Sequence, residues 1–213
     1  MKRKYFVASL VGIALLSVTA LSAQAYTFNF TNITNNKSGD VNIGKNQLSL
    51  DVTYDGTSVS FKFTNAVGSA SSIAQVYFDD QDGILSTMSI SSSGDVSFSD
   101  GADPKNVPGW STLDPKFSSI FSAGATKQGG VTKNGVSSSS EWLTLTFNIA
   151  QGSSFDDIIN ALNNGSLRVA VHVQGFDSGG SESFINTPIP AAAWLLGSGL
   201  VGLVGVRRWR KRG

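Results

Sequence analysis

Leu48-Ser49-Leu50-Asp51-Val52-Thr53-Tyr54-Asp55-Gly56-Thr57-Ser58-Val59-Ser60-Phe61-Lys62-Phe63 places apolar side chains at alternate positions on both sides of an Asp-Gly pair. Such a period of two is the signature of a strand with one buried face, because successive side chains leave opposite faces of a sheet. Asp55-Gly56 between two such runs predicts a tight hairpin, since glycine accepts the positive φ of a type I′ turn. Working outward, Phe28 and Phe30 alternate with polar neighbours, and further strands are predicted over 72–78, 85–90, 96–98, 141–149 and 167–174. Many short strands separated by Ser, Gly and Asn turns predict a mainly β fold, a single antiparallel β-sandwich of jelly-roll-like type over residues 26–186.

One segment departs from the period of two. Ser154-Phe155-Asp156-Asp157-Ile158-Ile159-Asn160-Ala161-Leu162-Asn163-Asn164-Gly165 offers an N-cap serine, two acids in the first turn, apolar residues at helical spacing and an Asn-Gly stop. It predicts one short helix of two turns, packed across an end of the sandwich. The Gly- and Pro-containing stretch 99–136 reads as a loop, long enough to carry function and equally readable as a mobile excursion.

The charge is unevenly placed. The 213 residues carry a formal net charge of +1 and no cysteine, which excludes a disulfide framework, a CxxC zinc site and a thiol nucleophile. Three basic residues, Lys2, Arg3 and Lys4, precede the first apolar run, and five, Arg207, Arg208, Arg210, Lys211 and Arg212, crowd the end. Between them stand eight basic and all fifteen acidic side chains, a net of −7. Positive charge confined to two tips, each beside an apolar segment, points to membrane topology and away from nucleic acid.

Residues 1–25 have the layout of a secretory signal peptide. The basic tip is followed by the uncharged stretch 5–21 and by Ala23-Gln24-Ala25, a small-x-small cleavage pattern for signal peptidase, so the mature chain is expected to begin at Tyr26. At the other end, Ala191-Ala192-Ala193-Trp194-Leu195-Leu196-Gly197-Ser198-Gly199-Leu200-Val201-Gly202-Leu203-Val204-Gly205-Val206 is uncharged and runs into the basic cluster. As a helix it spans about 24 Å against a hydrocarbon core of about 30 Å, a marginal span whose shortfall snorkelling of the arginines and Trp209 could make up. The predicted outcome is a transmembrane helix with a cytoplasmic C-terminus and an exported domain.

Pro188-Ile189-Pro190, this apolar segment and the arginine cluster together resemble the PEP-CTERM sorting domain, in its VPLPA-type variant. The resemblance covers residues 187–213. It implies an exported protein of an exopolysaccharide-producing Gram-negative bacterium, with an inner-membrane stage in transit. It further implies recognition through Pro188, Ile189, Pro190, Arg207, Arg208 and Arg210 by exosortase, a membrane-embedded protease, and a final place at the cell surface or in the extracellular matrix. Alternate prolines hold the chain extended, as entry into a protease groove requires. Ile73-Ala74-Gln75-Val76-Tyr77-Phe78-Asp79-Asp80, the strand from Glu141 and the strand from Leu167 are similar to a recurrent PEP-CTERM ectodomain, a type that implies no activity. A simple type I membrane anchor is the alternative for the tail.

The middle offers few candidates for chemistry. His172, the one histidine, alternates onto a face with Arg168, Ala170 and Gln174, opposite Leu167, Val169, Val171 and Val173, and is expected on the solvent side. No G-x-S-x-G elbow occurs and nothing in the sequence pairs a serine with His172, so no catalytic residue is assigned and the chain is expected not to be an enzyme. Asp156-Asp157 is helix N-terminal charge, and Glu141 and Glu182 are expected at strand edges, which leaves no acid pair for glycoside hydrolysis. No cofactor is required. Asp79, Asp80 and Asp82 before Gly83 are a candidate Ca²⁺ group, against the plainer reading of a solvated acidic turn. Trp110, in Pro108-Gly109-Trp110, is the candidate for stacking on a glycan, exopolysaccharide being the conceivable ligand of a carbohydrate-binding or carbohydrate-active module. The sequons at Asn29, Asn32, Asn36 and Asn164 are what an Asn- and Ser-rich β chain yields by chance.

Overall fold

A computed structural model describes residues 24–187. The signal segment up to Ala23, the proline motif, the apolar tail and the basic cluster lie outside the described residues. Among the described residues no helix is long and apolar enough to cross a membrane.

The chain begins with β1 (Gln24–Phe28) and β2 (Phe30–Asn32), then α1 (Ser38–Gln47), β3 (Leu48–Tyr54), β4 (Ser58–Asn65), β5 (Ser72–Asp80) and β6 (Leu85–Ser92). It continues through β7 (Phe98–Asp100), a 3₁₀ turn at Trp110–Thr112, β8 (Phe121–Ala125), α2 (Val131–Asn134) and β9 (Trp142–Ile149). It closes with α3 (Phe155–Asn164), β10 (Leu167–Gln174) and β11 (Glu182–Asn186). Two antiparallel sheets result, one in the order β1-β3-β4-β9-β6 and the other β2-β11-β10-β5-β8-β7. The pairs β3–β4, β7–β8 and β10–β11 each stay within one sheet, so the strand order departs from the sheet-to-sheet alternation of a jelly roll.

The Asp-Gly hairpin forms, with its loop displaced by one residue. Tyr54 pairs with Val59, and the Asp55 amide donates to the Ser58 carbonyl at 3.3 Å, which leaves Gly56-Thr57 as the two-residue loop. Gly56 takes φ 99° and Thr57 does not take a positive φ, the pattern of a type II′ turn in place of the expected I′. The Asp55 carboxylate makes the difference. It accepts the Ser58 and Thr57 amides at 2.8 Å each and both of their hydroxyls, and these hydrogen bonds hold its carboxyl well below the usual carboxylate range.

The two inner faces meet in one aromatic core. Phe61 of the first sheet packs edge-on against Phe78 of the second at 5.0 Å and against Phe147 beside it at 5.6 Å, all three fully buried. The predicted helix exists as α3 and runs ten residues, closer to three turns than two. Ser154 and Asp157 form a reciprocal capping box at its start. Phe155 then stacks on Tyr54 at 5.1 Å, which seats the helix over the β1–β3 end of the sheet.

Helices α1 and α2 and strands β8 and β11 were not expected. β8 lies in the stretch read as loop; Phe-Ser-Ala-Gly-Ala has little β propensity, and the strand exists because it pairs with β5. Helix α1, Ser-Gly-Asp-Val-Asn-Ile-Gly-Lys-Asn-Gln, is built almost wholly of weak helix formers. Packing dictates at least one of them, since a Cβ on Gly44 would stand 2.0 Å from Cζ of the buried Phe184. Gly44→Ala, which in an exposed helix adds up to about 1 kcal/mol of stability, is therefore expected to destabilise the fold by about 1 to 3 kcal/mol in urea unfolding. A gain in stability would refute this close approach.

Candidate functional site

The chemistry-bearing side chains collect on the outer face of the six-stranded sheet, and there the structure corrects the sequence. Arg168 and His172 do share a face of β10, but both are buried, at 8% and 7% exposure. The segment between β7 and β8 folds over them. Val107 and Phe117 from that segment join Tyr77, Ala170 and Ile185 in a second, smaller apolar core on this face. Alternation could place His172 opposite the main core; it carried no information about a covering loop.

Arg168 anchors the cover. Its guanidinium donates to the carbonyls of Pro115 at 2.6 Å and Lys116 at 2.9 Å, and pairs with the Asp79 carboxylate. Asp79 also accepts the Ser118 amide at 3.1 Å, and the Phe117 ring lies 5.4 Å from the guanidinium carbon. The Tyr77 hydroxyl donates to the Pro104 carbonyl at 3.0 Å, and burial together with the Asp103 charge raises the phenol above its ordinary range.

Beside this pair, His172 meets a serine after all. Its Nδ1 lies 3.1 Å from Ser183 Oγ, its register partner on β11. Ser183 is wholly buried, so the contact has the residue types of a nucleophile and base without access for a substrate. Burial lowers the His172 pKa from 6.5, against the opposing pull of Glu182. Glu182, expected at a strand edge, is fully buried and ties three segments together. Its carboxylate accepts from Asn32 Nδ2 at 3.0 Å, Thr34 Oγ1 at 2.5 Å and the Lys37 amide at 2.6 Å. Burial alone would raise this carboxyl, but the hydrogen bonds outweigh it and hold it below the usual 4.5.

The three aspartates considered for Ca²⁺ are not brought together. Asp79 is engaged with Arg168, while Asp80, next along the strand, accepts the amides of Ile84 and Leu85 at 3.1 and 2.9 Å and so closes the turn into β6. Among the described residues no group of three or more His, Cys, Asp or Glu side chains is placed to hold a metal ion. Trp110 is 39% exposed at the surface of the covering segment, as a stacking residue must be. By contrast, Tyr77 is buried, and Trp142 sits half-buried with Lys62 Nζ 5.8 Å from its ring centroid. Ala25 pairs with Thr53 inside β1, so a cut after it would leave Tyr26–Phe28 to hold that edge.

A cleft of about 470 Å³ opens where the covering segment leaves the sheet, and sequence inspection did not find it. Gln75 and Gln174 come to it from β5 and β10, Ser99 from β7, and Asp103, Thr126 and Lys127 from the loops above. Lys127 Nζ and Asp103 Oδ2 pair at 2.9 Å, both largely exposed. The hydrogen bond and then the charge of each partner lower the Asp103 carboxyl and raise the Lys127 ammonium. Gln75 is 6% exposed, and its Oε1 is buried without a hydrogen-bond partner. A lone amide within the otherwise apolar run Ile73-Ala74-Gln75-Val76-Tyr77-Phe78 was the one sequence signal for this place.

Compared with family models, curated proteins and solved structures, the chain matches none. Its function is therefore argued from its own residues.

Removing one partner of the Arg168–Asp79 pair strands the other. Asp79→Ala is expected to cost about 3 to 5 kcal/mol in urea unfolding and to open the covering segment to trypsin at Lys105 and Lys116; an unchanged cleavage pattern would contradict the anchoring role. Acid is expected to weaken the fold in two steps. Both folded-state values are depressed, so each group's contribution is complete above its unfolded value and is lost as pH falls: first below 6.5 for His172, then below 4.5 for Glu182. The thermal midpoint should drop between pH 7 and 5.5, and His172→Gln should flatten that limb. Parallel curves for the two proteins would exclude His172 as its source.

Proposed function

We propose that the chain is an exported surface or matrix protein of an exopolysaccharide-producing Gram-negative bacterium, sorted through its C-terminal signal and processed by exosortase. In this reading residues 26–186 are the cargo and residues 187–213 the address. Signal peptidase removes the first segment, the basic cluster stays on the cytoplasmic side during transit, and the proline motif is presented to the protease. The delivered domain works by its surface and needs no catalytic group or cofactor.

The observation that carries this reading is that strand pairing runs up to the residue before the proline motif. β11 keeps its register with β2 through Asn186, and Thr187 hydrogen-bonds from its amide to the Asn29 carbonyl at 2.9 Å and from its hydroxyl to the same oxygen at 3.2 Å. Pro188 follows immediately. Every strand of the described residues precedes the motif, so a cut beyond it removes none of them, and a proline there has no amide with which to extend the sheet. The acidic balance of the middle also suits a well-hydrated extracellular protein.

The test is intact-mass spectrometry of the protein recovered from its native host. The mature chain is expected to begin at Tyr26 and to lack Arg212, and Pro188→Ala with Pro190→Ala is expected to leave the full tail in the membrane fraction. A wild-type protein that retains Arg212 would make the tail a type I anchor and end the processing claim.

A further inference from the structure

The cleft between the covering segment and the six-stranded sheet has the chemistry of a receptor for a small neutral polyhydroxyl ligand. We propose that it binds a mono- or disaccharide unit, with Gln75 and Gln174 as the groups that orient it. This goes beyond the sorting function above and does not depend on it.

Three observations select this ligand class. First, Gln75 leaves a hydrogen bond open. Its Nε2 is turned toward the Asp103 carbonyl at 3.5 Å, so the amide's acceptor end, Oε1, remains without a donor in a residue more than nine-tenths buried. An unsatisfied buried acceptor is costly, and a ligand hydroxyl donated to it would recover that loss. Second, the lining supplies donors and acceptors in mixture: two amides, the hydroxyls of Ser99 and Thr126, and one ion pair. Hydroxyl groups donate and accept at once, which is the demand this set makes. Third, the charges cancel. Lys127 faces Asp103 at hydrogen-bond distance, so an anion meets a carboxylate and a cation meets an ammonium. The lining contains no aromatic ring, which disfavours a flat apolar ligand. At about 470 Å³ the space lies within the range of small-molecule sites.

The ion pair fits the same role. With both side chains more than three-quarters exposed, it adds little to stability. At the rim of the cleft it sets an ammonium donor beside a carboxylate acceptor, a combination that ring hydroxyls can bond from both sides.

The test is calorimetric titration of the full chain, in a detergent without a sugar headgroup, against glucose, galactose, mannose, N-acetylglucosamine and their disaccharides. At least one is expected to bind saturably in the millimolar range. Gln75→Met, which keeps the side chain's length and removes the open acceptor, is expected to weaken that sugar about tenfold while leaving the thermal midpoint at or above that of the wild type. Gln174→Ala, at a half-exposed position, provides the same comparison should the buried substitution perturb folding. Trp110→Ala is expected to leave affinity unchanged. Absence of saturable binding by every sugar would overturn the proposal, as would affinity indifferent to both glutamine substitutions. Affinity lost with Trp110 and kept with Gln75→Met would also overturn it, and would move the ligand to the loop tryptophan.

Discussion

A guanidinium held where water scarcely reaches imposes a demand on everything near it. Arg168 stands on the outer face of a sheet, a position that in a sandwich ordinarily faces solvent, yet its side chain is only 10% exposed and that of Asp79 only 2%. A buried charge of this kind is tolerable only with an opposite charge and with its remaining donors bonded. Asp79 from the neighbouring strand supplies the first, and the carbonyls of Pro115 and Lys116 bond the terminal nitrogens, leaving only Nε without a partner. The segment that carries those carbonyls is thereby held down over the sheet. Its apolar residues Val107 and Phe117 then close on Tyr77, Ala170 and Ile185.

Much else follows from that cover. β5 and β10 are buried on both faces, so nearly every residue in them is inaccessible and the half-buried alternation of β3 and β4 is absent. His172 and Ser183 are sealed in a polar row instead of lying open. Where the cover lifts away toward β8, the same row continues through Gln75 into open space, and the cleft exists at this margin. Loop, second core and candidate site are thus one arrangement, organised around an ion pair between adjacent strands.

The legible parts of the sequence were those governed by neighbouring residues. The hairpin at Asp55-Gly56, the capped helix from Ser154 and the strand ending at Gln174 depend on local period and capping, and they appear where the pattern put them, give or take one turn of helix and one residue of loop. Helix α1 and strand β8 were illegible because their residues have weak preferences. Gly44 is present for the sake of Phe184, which lies 140 positions away in the chain, and Phe121–Ala125 is a strand because β5 has an open edge. The candidate aspartates show the converse. Their proximity in sequence suggested a shared ligand, whereas Asp79 and Asp80, adjacent on the strand, point to opposite faces and each found its own partner, and Asp82 stands exposed in the turn beyond.

By itself, the sequence determined the β class, the main hairpin, the principal helix and the acidic middle flanked by basic tips, because period, turn chemistry and net charge are properties of short stretches or of simple sums. Tertiary structure alone decided which polar residues are buried, how the 99–136 stretch is divided between a cover and an eighth strand, and where a cleft opens. Those outcomes depend on pairs such as Arg168 with Asp79 and Glu182 with Thr34, separated by roughly a hundred residues or more, and no local pattern encodes a partner that far away.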